Sequence, residues 1–307
     1  MKKVVVLGSM NMDLVTFCER APVGGETLMG IDFRQIPGGK GANQAVALGK
    51  LESQVIMLGK IGNDSMGKIV LESMKRNNVD VSRIEKVENI STGIAKIVVE
   101  KNGQNRILVV SGANEYVDKN YIDKNLDIIS QADFLVCQLE IPLEVVKYAL
   151  EKAKKLGKIT ILNPAPARKL DAEIIENSDY IIPNETELEI ISGEKITSSK
   201  SLEEISKKIL DIGVKGLLVT LGKEGSLYID KNSKMKIPAL KVEAVDTTAA
   251  GDSFIGGFVK GLTIEKSLKE SILLGTKVAS LCVGKKGAQP SLPTMKELIR
   301  VFPDLNF

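Results

Sequence analysis

The stretch KVVVLGSMNMD, residues 3–13, decides the fold class of this chain. Its first five residues form a short, continuous run rich in β-branched side chains, which is typical of a strand buried on both faces of a parallel sheet. The run ends at Gly8, and polar residues follow it directly. We therefore expect residues 3–7 to be a central strand of a parallel sheet, with a binding loop at the strand's carboxyl end.

Five further runs of the same kind follow, and helical patterns lie between several of them. The strand candidates are residues 55–58, 134–138, 159–162, 180–183 and 217–222, and the helix candidates are residues 44–51, 66–77, 142–157 and 201–213. Pro142 and Gly157 stand at the start and end of one helix candidate, as helix start and stop signals do. Strands that alternate with helices predict an α/β fold with a doubly wound, mostly parallel sheet flanked by helices.

Two stretches interrupt this alternation. Residues 12–36 contain two strand candidates joined by a Pro/Gly turn, and residues 92–111 contain a hairpin pattern with the turn NGQN. Alternating residue types in the second stretch indicate antiparallel strands with one solvated face. We expect a single domain over residues 1–307, in which these two stretches form a small antiparallel β lid that stands off the α/β body.

The composition excludes several classes of function. The 307 residues carry 42 basic and 39 acidic side chains, and the net charge of +3 is too balanced to indicate nucleic-acid binding by bulk electrostatics. The chain has no histidine, which excludes histidine-based acid–base catalysis, Ser-His-Asp triads and His-ligated metals. Proton transfer therefore has to use another side chain, such as a carboxylate.

The cysteines and the apolar runs indicate the compartment. Cys18, Cys137 and Cys282 are widely separated and form no CxxC pair, so we expect neither a disulfide framework nor a zinc site, and a reducing cytosol fits. The apolar run before Gly8 is too short for a signal peptide, and no run approaches the ~20 residues of a membrane span. We expect a soluble, cytoplasmic protein that binds neither membrane nor nucleic acid.

Polar and glycine-rich segments follow the strand candidates, at the edge where a parallel sheet binds ligands. In GGKGANQA, residues 38–45, the missing Cβ atoms let a hydroxyl or phosphate reach backbone N–H groups at a helix start. Asn11 and Asp13 follow the first strand, and a carboxylate there suits sugar hydroxyls. A plain helix-start loop and an Asx-turn explain the two segments equally well when each is taken alone.

Two more segments fit either a ligand site or ordinary capping. In PNETE, residues 183–187, Asn184 and Glu187 share one face of a helical turn, so they suit hydrated Mg²⁺ as well as a helix cap. TLGKEG, residues 220–225, is equally compatible with an ordinary turn.

The segment VDTTAAGDSF, residues 245–254, is the most informative about chemistry. Its small residues precede the helical pattern FIGGFVKGL, which predicts a tight turn whose N–H groups converge on an anion at a helix N-terminus. Asp252 then lies in the first turn of that helix. It is either a stabilising helix-end acid or a base that accepts the proton of a hydroxyl attacking a phosphate.

Together these segments resemble the signatures of the ribokinase-like carbohydrate kinases, the phosphofructokinase B family. DTTAAGDSFIGG resembles the family's C-terminal signature and GGKGANQAVALG its N-terminal signature. GSMNMD, QLE, NPAPA, PNETE, TLGKEG and KGAQPS add family-like segments in the expected order, from residue 8 to residue 291. The resemblance implies transfer of the γ-phosphoryl group of MgATP to O5 of D-ribose. It also implies a lid that pairs with the lid of a second subunit in a homodimer.

The resemblance also implies roles for the residues that match the family's motifs. Asp252 matches the catalytic base, and Ala249, Ala250 and Gly251 match the anion hole. The positions that match sugar contacts are Asn11, Asp13, Gly39, Lys40, Gly41, Asn43, Glu140 and Asp252. The positions that match nucleotide contacts are Asn184, Thr220, Leu221, Gly222, Lys223, Glu224, Gly225, Gly251, Asp252 and Thr276.

Two kinds of metal site are implied in the same way. Glu187 completes the NxxE pattern that is linked to Mg²⁺, through water. The positions that match ligands of an activating K⁺, several through backbone carbonyls, are Asp246, Thr248, Cys282, Lys285, Gly287 and Ser291. The chain departs from the pattern at Ala249, where many members have Gly, and at Thr276, where His or Asn often lies near the adenine.

Other functions differ from this one in features that the sequence displays. A deoxyribokinase or another sugar or nucleoside kinase of the family would differ in substrate, and nothing in residues 245–254 selects the sugar. A non-catalytic sugar-binding regulator predicts loss of Asp252 or of the small residues before it, and this chain retains them. A Rossmann dehydrogenase requires GxGxxG after the first strand, where this chain has GSMNMD.

Overall fold

The computed structural model of the protein describes residues 2–305. Its strands are β1 (Lys3–Leu7), β2 (Asn11–Cys18), β3 (Asp32–Gly38), β4 (Gln54–Leu58), β5 (Lys60–Gly62), β6 (Val79–Asp80), β7 (Glu85–Val87), β8 (Gly93–Glu100), β9 (Asn105–Val110), β10 (Phe134–Cys137), β11 (Ile159–Leu162), β12 (Tyr180–Ile181), β13 (Gly216–Thr220), β14 (Ser226–Asp230) and β15 (Lys234–Ile237).

The α-helices lie between some of these strands and after the last of them. They are α1 (Lys40–Lys50), α2 (Ser65–Arg76), α3 (Lys119–Lys124), α4 (Leu126–Gln131), α5 (Leu143–Lys155), α6 (Ala172–Glu176), α7 (Glu185–Ser192), α8 (Ser199–Ile212), α9 (Ala250–Thr263), α10 (Leu268–Val283) and α11 (Met295–Val301). Short 3-10 helices cover Gly112–Tyr116, Gly222–Glu224 and Gln289–Ser291. Within residues 2–305, no helix combines the length and apolar character needed to cross a bilayer.

The main sheet has nine strands in the order β15-β14-β13-β12-β11-β10-β1-β4-β6. Its strands are parallel from β6 to β13, and the edge strands β14 and β15 are antiparallel. The two strands beside β1 are β4 and β10, so the connections leave the centre in opposite directions. Such a reversal opens a crevice at the carboxyl ends of the strands, where ligands of this architecture bind.

Helices cover both faces of the main sheet, which confirms the doubly wound prediction. Alternate side chains of one strand enter different cores, because successive strand residues point to opposite faces. Val4 and Val6 join the cluster formed with α1 and α9, whereas Val5 and Leu7 join the cluster formed with α5 and α8. The run of apolar residues in β1 is continuous because both of its faces are buried.

The second sheet is the predicted lid, with the order β3-β2-β8-β9. The outer pairs, β2 with β3 and β8 with β9, are antiparallel as predicted, but the central pair β2 with β8 is parallel. A prediction from single hairpins cannot find this pair, because the two strands lie some 80 residues apart. The prediction of one solvated face is wrong for β9, since all six of its residues are exposed.

The predicted strands and helices are present, with shifts at their ends. The helix predicted from residue 44 begins at Lys40, so the second half of the glycine-rich segment is its first turn. The strand predicted over residues 180–183 is limited to two residues, Tyr180 and Ile181. Pro142 is the N-cap of α5 rather than a residue of its first turn.

Candidate active site

The predicted site residues gather at the carboxyl edge of the main sheet. This edge holds Asn11 at the start of β2, Glu140 after β10, Asn184 after β12 and Thr220 at the end of β13. Helix α9 packs closely against α1 and α10 and directs its N-terminus toward the same edge, where residues from Ala249 to Asp252 line a cavity. Residues from distant parts of the chain therefore meet at the crevice that the strand order creates.

The N-terminus of α9 has a backbone geometry that suits an anion. Its N-cap, Ala249, has φ 60° and ψ 11°, in the left-handed region, and no side chain caps the helix. The N–H of Ala250 donates to the carbonyl oxygen of Thr247 at 3.1 Å, which closes the turn. First-turn N–H groups have no acceptor within the helix, and they carry the positive end of the helix dipole. Gly251 is thus better placed than Ala250 to offer a free N–H to a ligand.

Gly251 has no structural reason to be glycine. Its φ lies outside the positive region, and a Cβ added there would meet no protein atom within 4 Å. Glycine inside a helix is less stable than alanine by roughly 0.5–1 kcal/mol. The missing side chain therefore has no role in folding, and it leaves space for a ligand to approach the backbone.

Asp252 is buried, with 6% of its surface exposed, and both of its oxygens accept hydrogen bonds. Oδ2 accepts from Asn43 Nδ2 at 3.0 Å, and Oδ1 accepts from Gln44 Nε2 at 2.9 Å. Burial raises the pKa of Asp252, and the Lys40 ammonium together with these two amides offsets part of the rise. The carboxylate is held in one orientation beside the cavity, as a proton acceptor requires.

Further carboxylates lie near Asp252. Burial, with the charges of Glu140 and Asp252, raises the pKa of Asp13 to about 7. Burial lowers the pKa of Lys40, but the charges of Asp252, Glu140 and Glu187 outweigh this and raise it. Carboxylates only accept hydrogen bonds when ionised, so this region suits a ligand that donates several hydroxyl hydrogens, such as a sugar.

Glu140 is fixed by Ser9, which was not among the predicted site residues. Its Oε2 accepts from the backbone N–H of Lys40 at 3.0 Å and from the hydroxyl of Ser9. Ser9 in turn accepts from the N–H of Gly41 at 3.3 Å, and it is fully buried. A serine after a strand looks like an ordinary turn residue. The one sequence signal for a role of Ser9 was its place in the family-like segment GSMNMD.

Asn114, which the sequence analysis also missed, holds Asn11. Its Nδ2 donates to Asn11 Oδ1 at 2.7 Å and to the carbonyl oxygen of Ser111 at 2.9 Å. Its Oδ1 accepts from the N–H of Met10 at 2.9 Å. Asn114 therefore ties the beginning of β2 to the loop that follows β9, where the two ends of the lid meet the body.

The glycines at the start of α1 have a packing role. A Cβ on Gly39, which has φ 88°, would lie 2.7 Å from the backbone nitrogen of Asn11, and one on Gly41 would lie 2.6 Å from that of Ser9. Both glycines let the helix start lie directly against the β1 loop. This close packing brings Lys40 beside Glu140, so the two glycines shape the site whether or not their N–H groups contact a ligand.

Two adjoining cavities, of about 200 and about 630 Å³, meet at the α9 N-terminus. Their shared lining residues are Asn184, Thr220, Thr247, Ala250 and Gly251. The smaller cavity also reaches Lys40, Asn163 and Glu187, beside Asp252. The larger one extends between the loop of residues 239–244 and helix α10. A ligand in the larger cavity can therefore place a phosphate at the helix N-terminus, next to Asp252.

Most predicted nucleotide positions line the larger cavity. They are Asn184, Thr220, Gly222, Lys223, Gly225, Gly251 and Thr276. Asp252 lines the smaller cavity instead. Leu221 and Glu224 line neither cavity: the N–H of Leu221 donates to Gly225 O at 2.8 Å and that of Glu224 donates to Leu221 O at 3.0 Å, so these two residues shape the loop. Apolar lining residues such as Leu240, Val242 and Val283 escaped prediction, because single apolar residues carry no functional signal.

Asn184 and Glu187 form the capping box that the sequence left as an alternative. Asn184 Oδ1 accepts from the N–H of Glu187, and Glu187 Oε2 accepts from the N–H of Asn184, both at 2.8 Å. Both residues also line the smaller cavity, and burial raises the pKa of Glu187. Among residues 2–305, no three His, Cys, Asp or Glu side chains are grouped to hold a metal ion. A Mg²⁺ here would therefore keep most of its water ligands.

The residues matched to K⁺ ligands lie in the loop before α9 and in the segment from the end of α10 to Ser291, and Asp246 joins the two. Its Oδ1 accepts from the N–H and hydroxyl of Thr248, and its Oδ2 accepts from the N–H of Gly287 at 2.8 Å. These bonds outweigh the effect of burial and lower the pKa of Asp246. Cys282 and Ser291 lie 3.1 Å apart, Sγ to Oγ, whereas the Lys285 ammonium pairs with Glu297. Lys285 can therefore bind a cation through its backbone carbonyl oxygen but not through its ammonium group.

Known proteins resemble this chain over nearly its whole length. The sequence model of a family described as pfkB family carbohydrate kinase matches residues 1–295. The chain is 43% identical to the ribokinase of Staphylococcus aureus over 301 residues, which cover 97% of this chain and 99% of that protein. It is 37% identical to the deoxyribokinase of Salmonella typhi over 299 residues, 96% of both. Its structure is similar to that of Arabidopsis thaliana ribokinase complexed with ribose and ATP, with a TM-score of 0.92, 31% identity and 99% coverage of both chains.

Proposed function

This chain belongs to the pfkB family of carbohydrate kinases, and from that premise we propose that it transfers the γ-phosphoryl group of ATP to O5 of D-ribose. The products are D-ribose 5-phosphate and ADP. One observation carries the proposal: a buried carboxylate, Asp252, directly follows an uncapped helix N-terminus at the junction of two cavities. A proton acceptor and an anion site are thus adjacent, as phosphoryl transfer to a hydroxyl requires.

Asp252 is the proposed base. It accepts the proton of the attacking sugar hydroxyl, while Asn43 and Gln44 keep its two oxygens in place. Asn11, Asp13, Asn43 and Glu140 are the proposed acceptors and donors for the remaining hydroxyls, together with Lys40 and the backbone of residues 39–41. Oxygen acceptors on fixed elements around one buried acid are what orient a small polyol for attack by a single hydroxyl.

The nucleotide is proposed to occupy the larger cavity. Lys223 and the N-terminus of α9, with the backbone from Ala249 to Gly251, would compensate the negative charge of the phosphates. Thr276 lines this cavity from α10, and its hydroxyl donates to Ile272 O at 3.0 Å. We therefore propose that Thr276 contacts the adenine through the lone pairs of its hydroxyl oxygen or through its methyl group.

Mg²⁺ and K⁺ are the proposed ions. Glu187 and Asn184 at the smaller cavity would hold hydrated Mg²⁺, which neutralises charge on transferred phosphates when it is bound. Asp246 and Ser291, with backbone oxygens of Thr248, Cys282, Lys285 and Gly287, would hold K⁺. Hard oxygen donors from two loops fit an alkali cation better than a transition metal. The loop that K⁺ would order leads directly into the anion site.

The lid is proposed to pair with a second copy of the chain. Leu108, Val109 and Phe33 on the lid are each at least half exposed, and β9 is an edge strand with a free row of backbone groups. Apolar edge strands of this kind are normally covered. We infer a homodimer, with residues 1–307 of each copy acting as one kinase unit and residues 12–36 and 92–111 forming its lid.

We also propose a cytoplasmic location. Cys18, Cys137 and Cys282 are free and buried, which accords with a reducing compartment. The proposed substrate ATP is abundant in that compartment.

A deoxyribokinase function is the second candidate, because a relative of that name is 37% identical over 96% of the chain. The test measures ADP release with ATP and D-ribose, 2-deoxyribose, fructose or adenosine, each with K⁺, Na⁺ or choline as the monovalent cation. Highest kcat/KM for D-ribose, with activation by K⁺, is the expected result. A higher kcat/KM for 2-deoxyribose would show that the protein is a deoxyribokinase. Equal rates with the three cations would count against the K⁺ site at Asp246.

Asp252→Asn tests the proposed base in the same assay. It should lower kcat by at least ~100-fold, since general-base catalysis typically contributes that much. Asp127→Asn, at a half-exposed position on α4, is the matched control and should retain full activity. Unchanged turnover in a folded Asp252→Asn protein would refute the assignment of the base.

A further inference from the structure

Three buried amide side chains lie behind Asp252 and are connected to one another. They are Gln44 in α1, Gln138 after β10 and Asn163 after β11. Gln44 and Gln138 are fully buried, and Asn163 is 8% exposed. They belong to the segments GGKGANQA, QLE and NPAPA, which are far apart in the sequence. Burial of an amide costs free energy unless it is hydrogen-bonded, so their convergence calls for a physical reason.

The amides form a chain of hydrogen bonds that ends at Asp252. Asn163 Nδ2 donates to the carbonyl oxygen of Ile182 at 3.2 Å. Gln44 Nε2 donates to Asn163 Oδ1 at 3.1 Å and to Asp252 Oδ1 at 2.9 Å. Gln138 Nε2 donates to Gln44 Oε1 at 2.7 Å. Every polar atom of the Gln44 amide therefore has a partner.

The direction of this chain is set by the backbone. A carbonyl oxygen can only accept, so Asn163 has to turn its NH₂ group to Ile182 and its oxygen to Gln44. Gln44 then has to turn its own NH₂ group toward Asn163, and its second hydrogen reaches Asp252. The reverse orientation of Gln44 would set two oxygens against each other at Asn163 and again at Asp252. The carbonyl group of Ile182, directly after β12, thus determines that Gln44 presents a hydrogen-bond donor to Asp252.

We propose that Gln44 is a positioning residue for the base Asp252, and that Asn163, held by the carbonyl of Ile182, fixes the orientation of Gln44. This inference rests on the proposed kinase function. The Gln44 donor occupies one lone pair of Oδ1 and the Asn43 donor occupies one of Oδ2. The carboxylate plane is then fixed, and its remaining lone pairs are available to the substrate hydroxyl.

The donor from Gln44 also favours the ionised form of Asp252. Burial opposes ionisation of this carboxyl, and the nearby acids Glu140, Asp13 and Glu187 oppose it further. Lys40 supports ionisation from the start of α1, and the thiol of Cys282 is the remaining titratable group nearby. The two amide donors act in the same direction as the Lys40 charge, so each of them lowers the pKa of the base.

Gln44→Leu tests the proposal by removing the donor at similar volume. The acid limb of the pH profile of kcat should move up by about one pH unit, the loss expected for one hydrogen bond to a charged group. At pH values on the acid limb kcat should fall by up to about tenfold as a result. The Kd for sugar and for ATP, measured by calorimetry, should stay within about threefold, because Gln44 lies behind Asp252.

Gln138→Leu is the matched control. It removes an equally buried amide from the same group, yet it leaves the bonds from Gln44 to Asn163 and Asp252 intact. It should reduce the melting temperature as Gln44→Leu does, but the acid limb should not move. Asn163→Leu provides a second variant, since it removes the acceptor that orients Gln44, and it should move the acid limb in the same direction as Gln44→Leu.

Two results would overturn the inference. One is an unmoved acid limb in folded Gln44→Leu or, if that variant does not fold, in Asn163→Leu. The other is an equal shift in Gln138→Leu, which would mean that any loss of packing there has the same effect. Failure of the kinase proposal is distinguishable, because the unaltered protein would then release no ADP with any sugar.

Discussion

Gly251 and Asp252 are neighbours, and both are better suited to a ligand than to the stability of the fold. Alanine at position 251 would make the helix more stable than Gly251 does, because its Cβ would meet no protein atom. Asp252 is a buried acid, and burial raises its pKa. Residues that reduce the stability of the fold in this way are typical of functional sites, where they serve the ligand.

Gly251→Ala separates folding from function at this turn. We expect the melting temperature to stay the same or to rise, since alanine is roughly 0.5–1 kcal/mol better in a helix and its Cβ meets no protein atom. Kinase activity should fall by at least ~10-fold, because the methyl group occupies the space of the phosphates. Gly284→Ala, near the end of α10 and outside both cavities, is the control. Full activity in Gly251→Ala would contradict the anion site.

The pKa of Asp13 predicts a pH dependence of sugar binding. Its carboxyl has a pKa of about 7 in the folded protein without ligand, so it becomes a full acceptor only as the pH rises through that value. The KM for the sugar should therefore decrease between pH 6 and 8. Asp13→Asn should remove this decrease, while Asp32→Asn on the exposed edge of the lid should preserve it. A KM that is independent of pH in the unaltered protein would contradict the role of Asp13.

The same pKa has the opposite effect on stability. Asp13 ionises near 3.8 in the unfolded chain and near 7 in the folded one. Between these values the folded state binds more protons, so the free energy of unfolding from this group falls as the pH rises, by at most ~1.4 kcal/mol per pH unit. Asp13→Asn should flatten the stability curve in this window, as measured by urea unfolding.

At the scale of the element, Asn114 joins the lid to the body beside the apolar contacts that Met12, Leu14 and Ile94 make with the core. This residue bonds to Met10 and Asn11 at the start of β2 and to Ser111 after β9. Gly93 at the start of β8 lies against the same amides, since a Cβ there would be 2.2 Å from Asn11 Oδ1. Three of the four lid strands therefore meet the body at one small polar cluster.

Asn114→Ala should loosen this attachment. It leaves buried groups of Met10 and Asn11 without partners, which costs roughly 1–3 kcal/mol of stability. The KM for the sugar should rise several-fold while that for ATP stays near its original value, because Asn11 moves and the nucleotide cavity does not. Asn125→Ala removes a similarly buried amide that bonds only to Tyr121 O, so it should lower stability alone. Equal KM changes in both variants would refute the role of Asn114.

At the scale of the whole molecule, the surface of the lid predicts association of two chains. All residues of β9 are exposed, and Leu108 is 66% exposed. Leu108→Asp places a charge in the proposed interface and should convert a dimer into a monomer in light scattering. Ile299→Asp on α11 changes an exposed apolar residue outside the lid and should leave the dimer intact. A monomeric unaltered protein would contradict the proposed pairing of lids.

The sequence alone determined the layered architecture and the set of site segments. Continuous apolar runs such as residues 3–7 predicted strands buried on both faces, because no other strand environment tolerates them. Asp252 and the small residues before it were identifiable, since a phosphoryl-transfer site needs N–H groups that no side chain blocks. The choice between a capping box and a ligand site at Asn184 could not be made, because the same bonds serve both purposes.

Only the tertiary structure decided which residues support the site from behind. The parallel pairing of β2 with β8, the bonds of Ser9 and Asn114, and the chain from Ile182 through Asn163 and Gln44 to Asp252 all join residues that are distant in sequence. Local patterns record which face of an element is buried and how it begins and ends. They do not record which partner a buried amide will meet, because that partner is brought there by the packing of other elements.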